Sequence, residues 1–129
     1  MQSTSAIVRA SETRRSETPN ATMTTLASPS LAGSESLSLW QVEMSAGSRG
    51  PLHVFDSEQV WTVLAGEIAV TVDGRREELR AGDTLVLRAG ATRQIASEGD
   101  ARMLVCGRGD AVASVPGEDA DRGTPPWIA

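Results

Sequence analysis

The residues of this chain best suited to chemistry are its only histidine, His53, and two polar residues set in alternating apolar segments, Gln59 and Arg93. An imidazole gains or loses a proton near neutral pH, so His53 is a candidate acid–base group. A guanidinium on an apolar segment is costly to bury unpaired. Arg93 therefore needs Asp56, Glu58, a backbone carbonyl, or an anionic ligand such as a carboxylate or enolate held through two hydrogen bonds. Gln59 could orient the same group, and Phe55, Trp61 and Trp40 could stack on the rest of it. Each residue also has a plainer structural role. His53 could be satisfied by a backbone group at a strand end, and the aromatics could be ordinary core.

The segments that carry these residues read as short strands. Ser36 to Glu43 alternates Leu37, Leu39 and Gln41 against Ser38, Trp40 and Val42. Gln59 to Leu64 follows, with Gln59, Trp61 and Val63 on one side. Ile68 to Val72 ends at Asp73-Gly74, a strong hairpin signal. Arg76 to Leu79, Thr84 to Leu87, Thr92 to Ala96 and Arg102 to Cys106 complete the set, with Arg93 and Ile95 on one face. Turns recur about every eight to twelve residues, the rhythm of an all-β sandwich or barrel. No long helix is expected.

The spacing of these residues is regular. The first stretch reads Gly47-x5-His53-x-Phe55-x3-Gln59-x6-Gly66 and the second Gly82-x5-Arg88-x-Gly90-x2-Arg93-x3-Ser97. Over Leu37 to Gly107 the chain resembles the cupin superfamily, whose two motifs read Gly-x5-His-x-His-x3-Glu-x6-Gly and Gly-x5-Pro-x-Gly-x2-His-x3-Asn. The glycines and the spacing are kept. Of the four metal-ligand positions only His53 keeps its usual type, while Phe55, Gln59 and Arg93 replace the others. The resemblance implies an all-β, double-stranded β-helix or jelly-roll barrel. It also implies that His53, Phe55, Gln59 and Arg93 face the barrel interior. Trp61, Val63 and Ile95 join them by alternation. The interior is then mostly apolar and aromatic with a few polar groups, the usual make-up of a small-molecule site.

A metal is not expected. Phe55 cannot ligate, Arg93 is a fixed cation, and His53 with Gln59 falls short of the three ligands a transition metal needs. Asp56 and Glu58 lie close in sequence, but alternation turns Glu58 away from Gln59. The favoured reading is a small bacterial, RmlC-like cupin binding a small organic molecule, anionic if Arg93 holds it. It would work without metal as an isomerase or cyclase, as some members do, with His53 as acid or base. The alternatives are a metal-dependent, dioxygenase-like cupin using His53 and Gln59, and a non-catalytic sensor or binding module.

Net charge is −5 across 129 residues, with a sequence pI near 4.8. That composition gives no basic footprint for nucleic acid or an anionic membrane, and no apolar run approaches the roughly 20 residues of a membrane span. A cytoplasmic protein is the simplest expectation. Residues 1–25, rich in Ser, Thr, Arg and Glu, are expected to be a disordered tail, with Met23 a candidate start of translation. Residues 26–110 form the barrel, and 111–129 are expected to be an extended tail with Trp127 packed on the barrel or a neighbour. Cys106 is expected to be a buried core thiol, Asp83 to cap its turn, and the exposed sheet edges to be covered in a homodimer.

Overall fold

The computed structural model describes residues 5–129. Its strands are β1 (Arg14–Glu17), β2 (Thr22–Ala27), β3 (Leu37–Met44), β4 (His53–Phe55), β5 (Gln59–Ala65), β6 (Glu67–Val72), β7 (Arg75–Arg80), β8 (Thr84–Leu87), β9 (Thr92–Ala96), β10 (Ala101–Arg108) and β11 (Ala113–Ser114). They form two antiparallel sheets, one ordered β1-β2-β3-β10-β5-β8 and the other β11-β4-β9-β6-β7. The fold is the expected jelly roll. Its core is made by the inward-facing residues of the two sheets, among them Trp40, Trp61, Val63, Val70, Leu87, Met103 and Val105.

The turn chemistry is as the sequence demands. Asp73 and Gly74 both take positive φ, 48° and 82°, which matches the twist of a two-residue hairpin between β6 and β7. Asp83 closes the β7–β8 turn, its carboxylate accepting from the Arg80 backbone N–H at 2.9 Å. Gly66 is required for a second reason besides its φ of 75°. A Cβ there would stand 2.2 Å from the backbone oxygen of Asp100, so no side chain fits where β5 turns into β6.

The amino-terminal end of the chain departs from expectation, and at the other end Trp127 packs on the barrel as expected. Residues 1–4 of the expected disordered tail lie outside the described residues. Within the rest of that tail, Arg14–Glu17 and the start of Thr22–Ala27 form β1 and β2, which extend the larger sheet by pairing β1 with β2 and β2 with β3. Composition pointed the other way because the segment has few large apolar residues. Its order comes from the backbone ladder along β3 and from two buried side chains, Met23 and Thr25, with the Thr25 hydroxyl donating to the Trp127 carbonyl at 2.6 Å. Met23, weighed as a start, lies inside β2, after the β1 edge.

The segment after residue 110 is likewise packed onto the barrel. Ala113–Ser114 pairs with β4, and Trp127 packs against the core. Ile128 is fully buried, with its carbonyl accepting from the Ser38 hydroxyl. Arg14 donates to the carbonyls of Pro126 and Ala129, tying the end of the chain to β1. Cys106 is a further correction. Met103 and Val105 point inward on β10, so alternation sets Cys106 on the outer face, where it is only partly buried.

If the last residues are integral to the core, Ile128→Ala should lower the unfolding free energy by about 3 kcal/mol, the usual cost of emptying such a site. Urea denaturation measures this, and a loss below about 1 kcal/mol would show that the segment does not pack as described.

A candidate small-molecule cavity

β4 is short, and its inward residues are set by its two neighbours. His53 stands directly opposite Arg93 on β9, and Phe55 opposite Ala113 on β11. Across the barrel, β5 presents Gln59, Trp61 and Val63, all buried, as the alternation predicts. The sheet pairing thus brings His53, Phe55 and Trp61 to one interior space, and β3 adds Trp40.

That space is a cavity of about 510 Å³. All three tryptophans of the chain, Trp40, Trp61 and Trp127, line it, with Phe55 and with Met23, Met44 and Met103. Met44 and Met103 continue alternations already legible in β3 and β10. The rim was not legible. It combines the turn between β1 and β2, Thr18 to Ala21, with Ser114, Val115, Arg122 and the prolines Pro125 and Pro126. The Pro19-Asn20 pair signals a turn, but nothing local says that the turn folds back over the barrel.

His53 is the group in this wall that can exchange a proton near neutrality. Its ring Nδ1 lies 2.9 Å from the Pro51 carbonyl oxygen. A carbonyl only accepts, so Nδ1 carries the hydrogen and Nε2 of the neutral ring is left as an unprotonated acceptor. Burial pushes the imidazole pKa below its ordinary 6.5; the Pro51 bond opposes this and the positive charge of Arg93 adds to it. The ring also packs against Phe55 in a T shape, with centroids 5.2 Å apart and planes at 80°.

Arg93 and Gln59 sit behind this wall, outside the lining of the cavity. Arg93 is fully buried. Its guanidinium donates to the carbonyls of Ala91 at 3.1 Å and Arg88 at 3.4 Å and to the Gln59 amide oxygen at 3.3 Å. Its carbon lies 5.4 Å from the centre of the Phe55 ring, within cation–π range. Burial pulls its pKa down to about 10, with Asp73 acting the other way, so it stays charged at neutral pH. The Gln59 oxygen also accepts from Trp61 Nε1 at 3.1 Å, while Gln59 Nε2 is buried without a hydrogen-bond partner. Of the partners considered for Arg93, the structure shows backbone carbonyls; Asp56 and Glu58 are both exposed on the surface.

The donor set does not suit a transition metal. Among the described residues no group of three or more His, Cys, Asp or Glu side chains comes together. Phe55 has no donor atom, and the Arg93 guanidinium is a fixed cation that repels a metal ion.

Two antiparallel sheets closing on a central, aromatic-lined cavity define a jelly-roll barrel. Residues 40–107 match the cupin domain family, more than half of the 129-residue chain, and the protein belongs to that family. No curated protein sequence matches it. Among solved structures, an RmlC-like cupin from Shewanella frigidimarina is 19% identical, with a TM-score of 0.69 over 84% of this chain and 94% of that one. KdgF from Halomonas sp. is 18% identical, with a TM-score of 0.69 over 81% and 94%. Salicylate 1,2-dioxygenase from Pseudoaminobacter salicylatoxidans, solved with gentisate, is 16% identical with a TM-score of 0.70. The match covers 81% of this chain and 31% of the dioxygenase. At these identities the likeness shows the shared fold.

Two measurements check the site. Because folding lowers the His53 pKa, the unfolded chain binds the extra proton first as pH falls. This residue's contribution to stability is therefore complete above about pH 6.5 and is lost as pH drops below that value toward the folded pKa. Proton NMR of the single histidine should give a midpoint below 6.5, and Arg93→Met should raise it; an unchanged midpoint would separate the two groups electrostatically. Metal analysis of untagged, unchelated protein should give well under one equivalent, and a content near one would overturn the reading of the donor set.

Proposed function

We propose that this cupin binds a small organic molecule with a flat, largely apolar body in the barrel cavity, and that His53 Nε2 accepts a proton from it. The observation that carries this reading is the convergence of Trp40, Trp61, Trp127 and Phe55 on one cavity that also presents the imidazole. Aromatic walls give a large apolar contact area at little entropic cost, and a neutral imidazole with a free ring nitrogen is a competent base. The chemistry that follows is proton transfer at carbon or oxygen, as in an isomerisation or ring closure, with no step that calls on a metal. The solved dioxygenase holds gentisate, an aromatic molecule, in a chain that contains this same fold, which supports a ligand of comparable shape here.

The arrangement also limits what His53 can do. With Nδ1 fixed to Pro51, only Nε2 can meet a ligand, so the ring takes a proton first and can return it on the other side of the reaction. That single-base geometry suits a 1,3-shift or an enolisation in which one group removes and redelivers the same proton.

The tryptophans make the test direct. Titration with 2-naphthol should give a saturable change in intrinsic fluorescence, with one molecule bound per chain. Carbon acids that bind should then exchange their acidic hydrogen for solvent deuterium, followed by mass spectrometry. His53→Gln should leave binding within about threefold and slow exchange by about 10²-fold to 10⁴-fold, the range for loss of a general base. No saturable fluorescence change up to millimolar probe would sink the binding reading, and unchanged exchange in His53→Gln would remove His53 from the chemistry.

A further inference from the structure

The chain is rich in acids, with 17 Asp and Glu against 12 Lys and Arg, yet among the described residues no Asp or Glu lines the cavity. The wall carries His53 and Arg122 as its basic residues. Arg122 is exposed and already neutralised, its guanidinium held by the Glu118 carboxylate at 2.7 and 3.0 Å. Arg93 is in a different state. It is fully buried, stands against Phe55, and forms no salt bridge among the described residues; the charge of Asp73 reaches it from beyond contact distance. All three of its hydrogen-bond partners are neutral oxygens, two of them at 3.3 Å or more. Beside it, Gln59 Nε2 is a buried donor with no acceptor. The inner end of the site therefore has positive charge and an unpartnered donor in excess, and it lacks negative charge.

A buried cation with no counter-charge leaves a positive potential that solvent screens poorly. The adjoining cavity is where that potential can be met from outside the protein. We infer that the ligand is an organic anion, an aromatic or other apolar acid, seated with its charged group at the Phe55 and His53 end of the cavity and balanced by Arg93 across the Phe55 ring. The contact differs from a bidentate clamp, because Phe55 stands between the guanidinium and the cavity. Arg93 acts on the ligand through space and sets which charge the cavity accepts. Two charges about 10 Å apart at an effective dielectric of about 20 still gain on the order of tenfold in affinity. The inference rests on the binding reading above and adds the charge of the ligand to it.

A pair of probes of one shape separates the two. 2-Naphthoate and 2-naphthamide, titrated at about pH 8 where His53 is neutral, differ mainly in charge. The acid should bind about tenfold more tightly than the amide. Arg93→Met should reduce that ratio to within about twofold with amide affinity little changed, and Arg122→Gln should leave the ratio intact. Raising salt from about 50 to about 500 mM should leave most of the preference, because the charge behind it is buried. This salt series and Arg122→Gln decide the matter even if Arg93→Met does not fold. Equal or tighter binding of the amide overturns the inference while leaving the cavity's role as a binding site. A preference that survives Arg93→Met, disappears in Arg122→Gln or is lost in salt also overturns it. Failure of both probes to bind sinks the binding reading itself.

Discussion

A guanidinium with no acid partner is held inside this barrel, and the residues around it are arranged to make that tolerable. Burial of an unpaired charge would ordinarily cost several kcal/mol. Here the cost is spread over the carbonyls of Ala91 and Arg88, the Gln59 amide oxygen and the face of Phe55. Each partner is neutral, so the group is solvated by the protein with its charge left in place. The substitutions at the three motif positions then form one unit. Phe55 covers the cation, Gln59 accepts from it, and Arg93 supplies it. Changing any one alone would strand the others.

The same unit shapes the cavity beside it. Phe55 turns one face to Arg93 and packs in a T shape with His53, so a single ring separates the charged interior from the aromatic pocket. His53 in turn is held by the Pro51 carbonyl and kept neutral by burial, with the nearby cation acting in the same direction. Electrostatics and packing thus favour one protonation state and one free nitrogen. The two ends of the chain close the rim, and they are coupled to each other through Thr25 and Trp127 and through Arg14 and Pro126. Access to the pocket is therefore bound up with the stability of the outermost strands and the last few residues.

Much of the barrel was legible because its signals are local. Period-two alternation set the faces of β3, β5 and β9, and Asp73-Gly74 and Gly66 marked turns at positive φ. The inward placement of Trp61 followed from the same alternation, and that of His53 and Phe55 from the resemblance to the cupin motifs. What escaped was non-local. β1 and β2 are ordered by a ladder along β3 and by hydroxyls that reach carbonyls a hundred residues away, such as Thr25 to Trp127, and composition cannot register such a partner. The order of depth inside the barrel escaped too. Alternation says that Arg93 points inward, but it does not say that Phe55 comes between Arg93 and the open space. Cys106 was misplaced because an apolar neighbourhood was weighed above the alternation that Met103 and Val105 already established.

The relation between scaffold and chemistry follows from this. The motif glycines answer to backbone geometry, so they hold their positions whatever the cavity contains. Gly66 is excluded from change by an oxygen 2.2 Å from where its Cβ would be, a constraint that has no connection with a ligand. The side chains at the interior positions answer only to one another and to whatever the cavity holds. A frame of that kind can exchange a coordinating set for a permanent cation without altering a turn or a register. Positive charge at the centre of the barrel is then supplied by the chain itself, and its strength is set by how deeply Arg93 is buried behind Phe55.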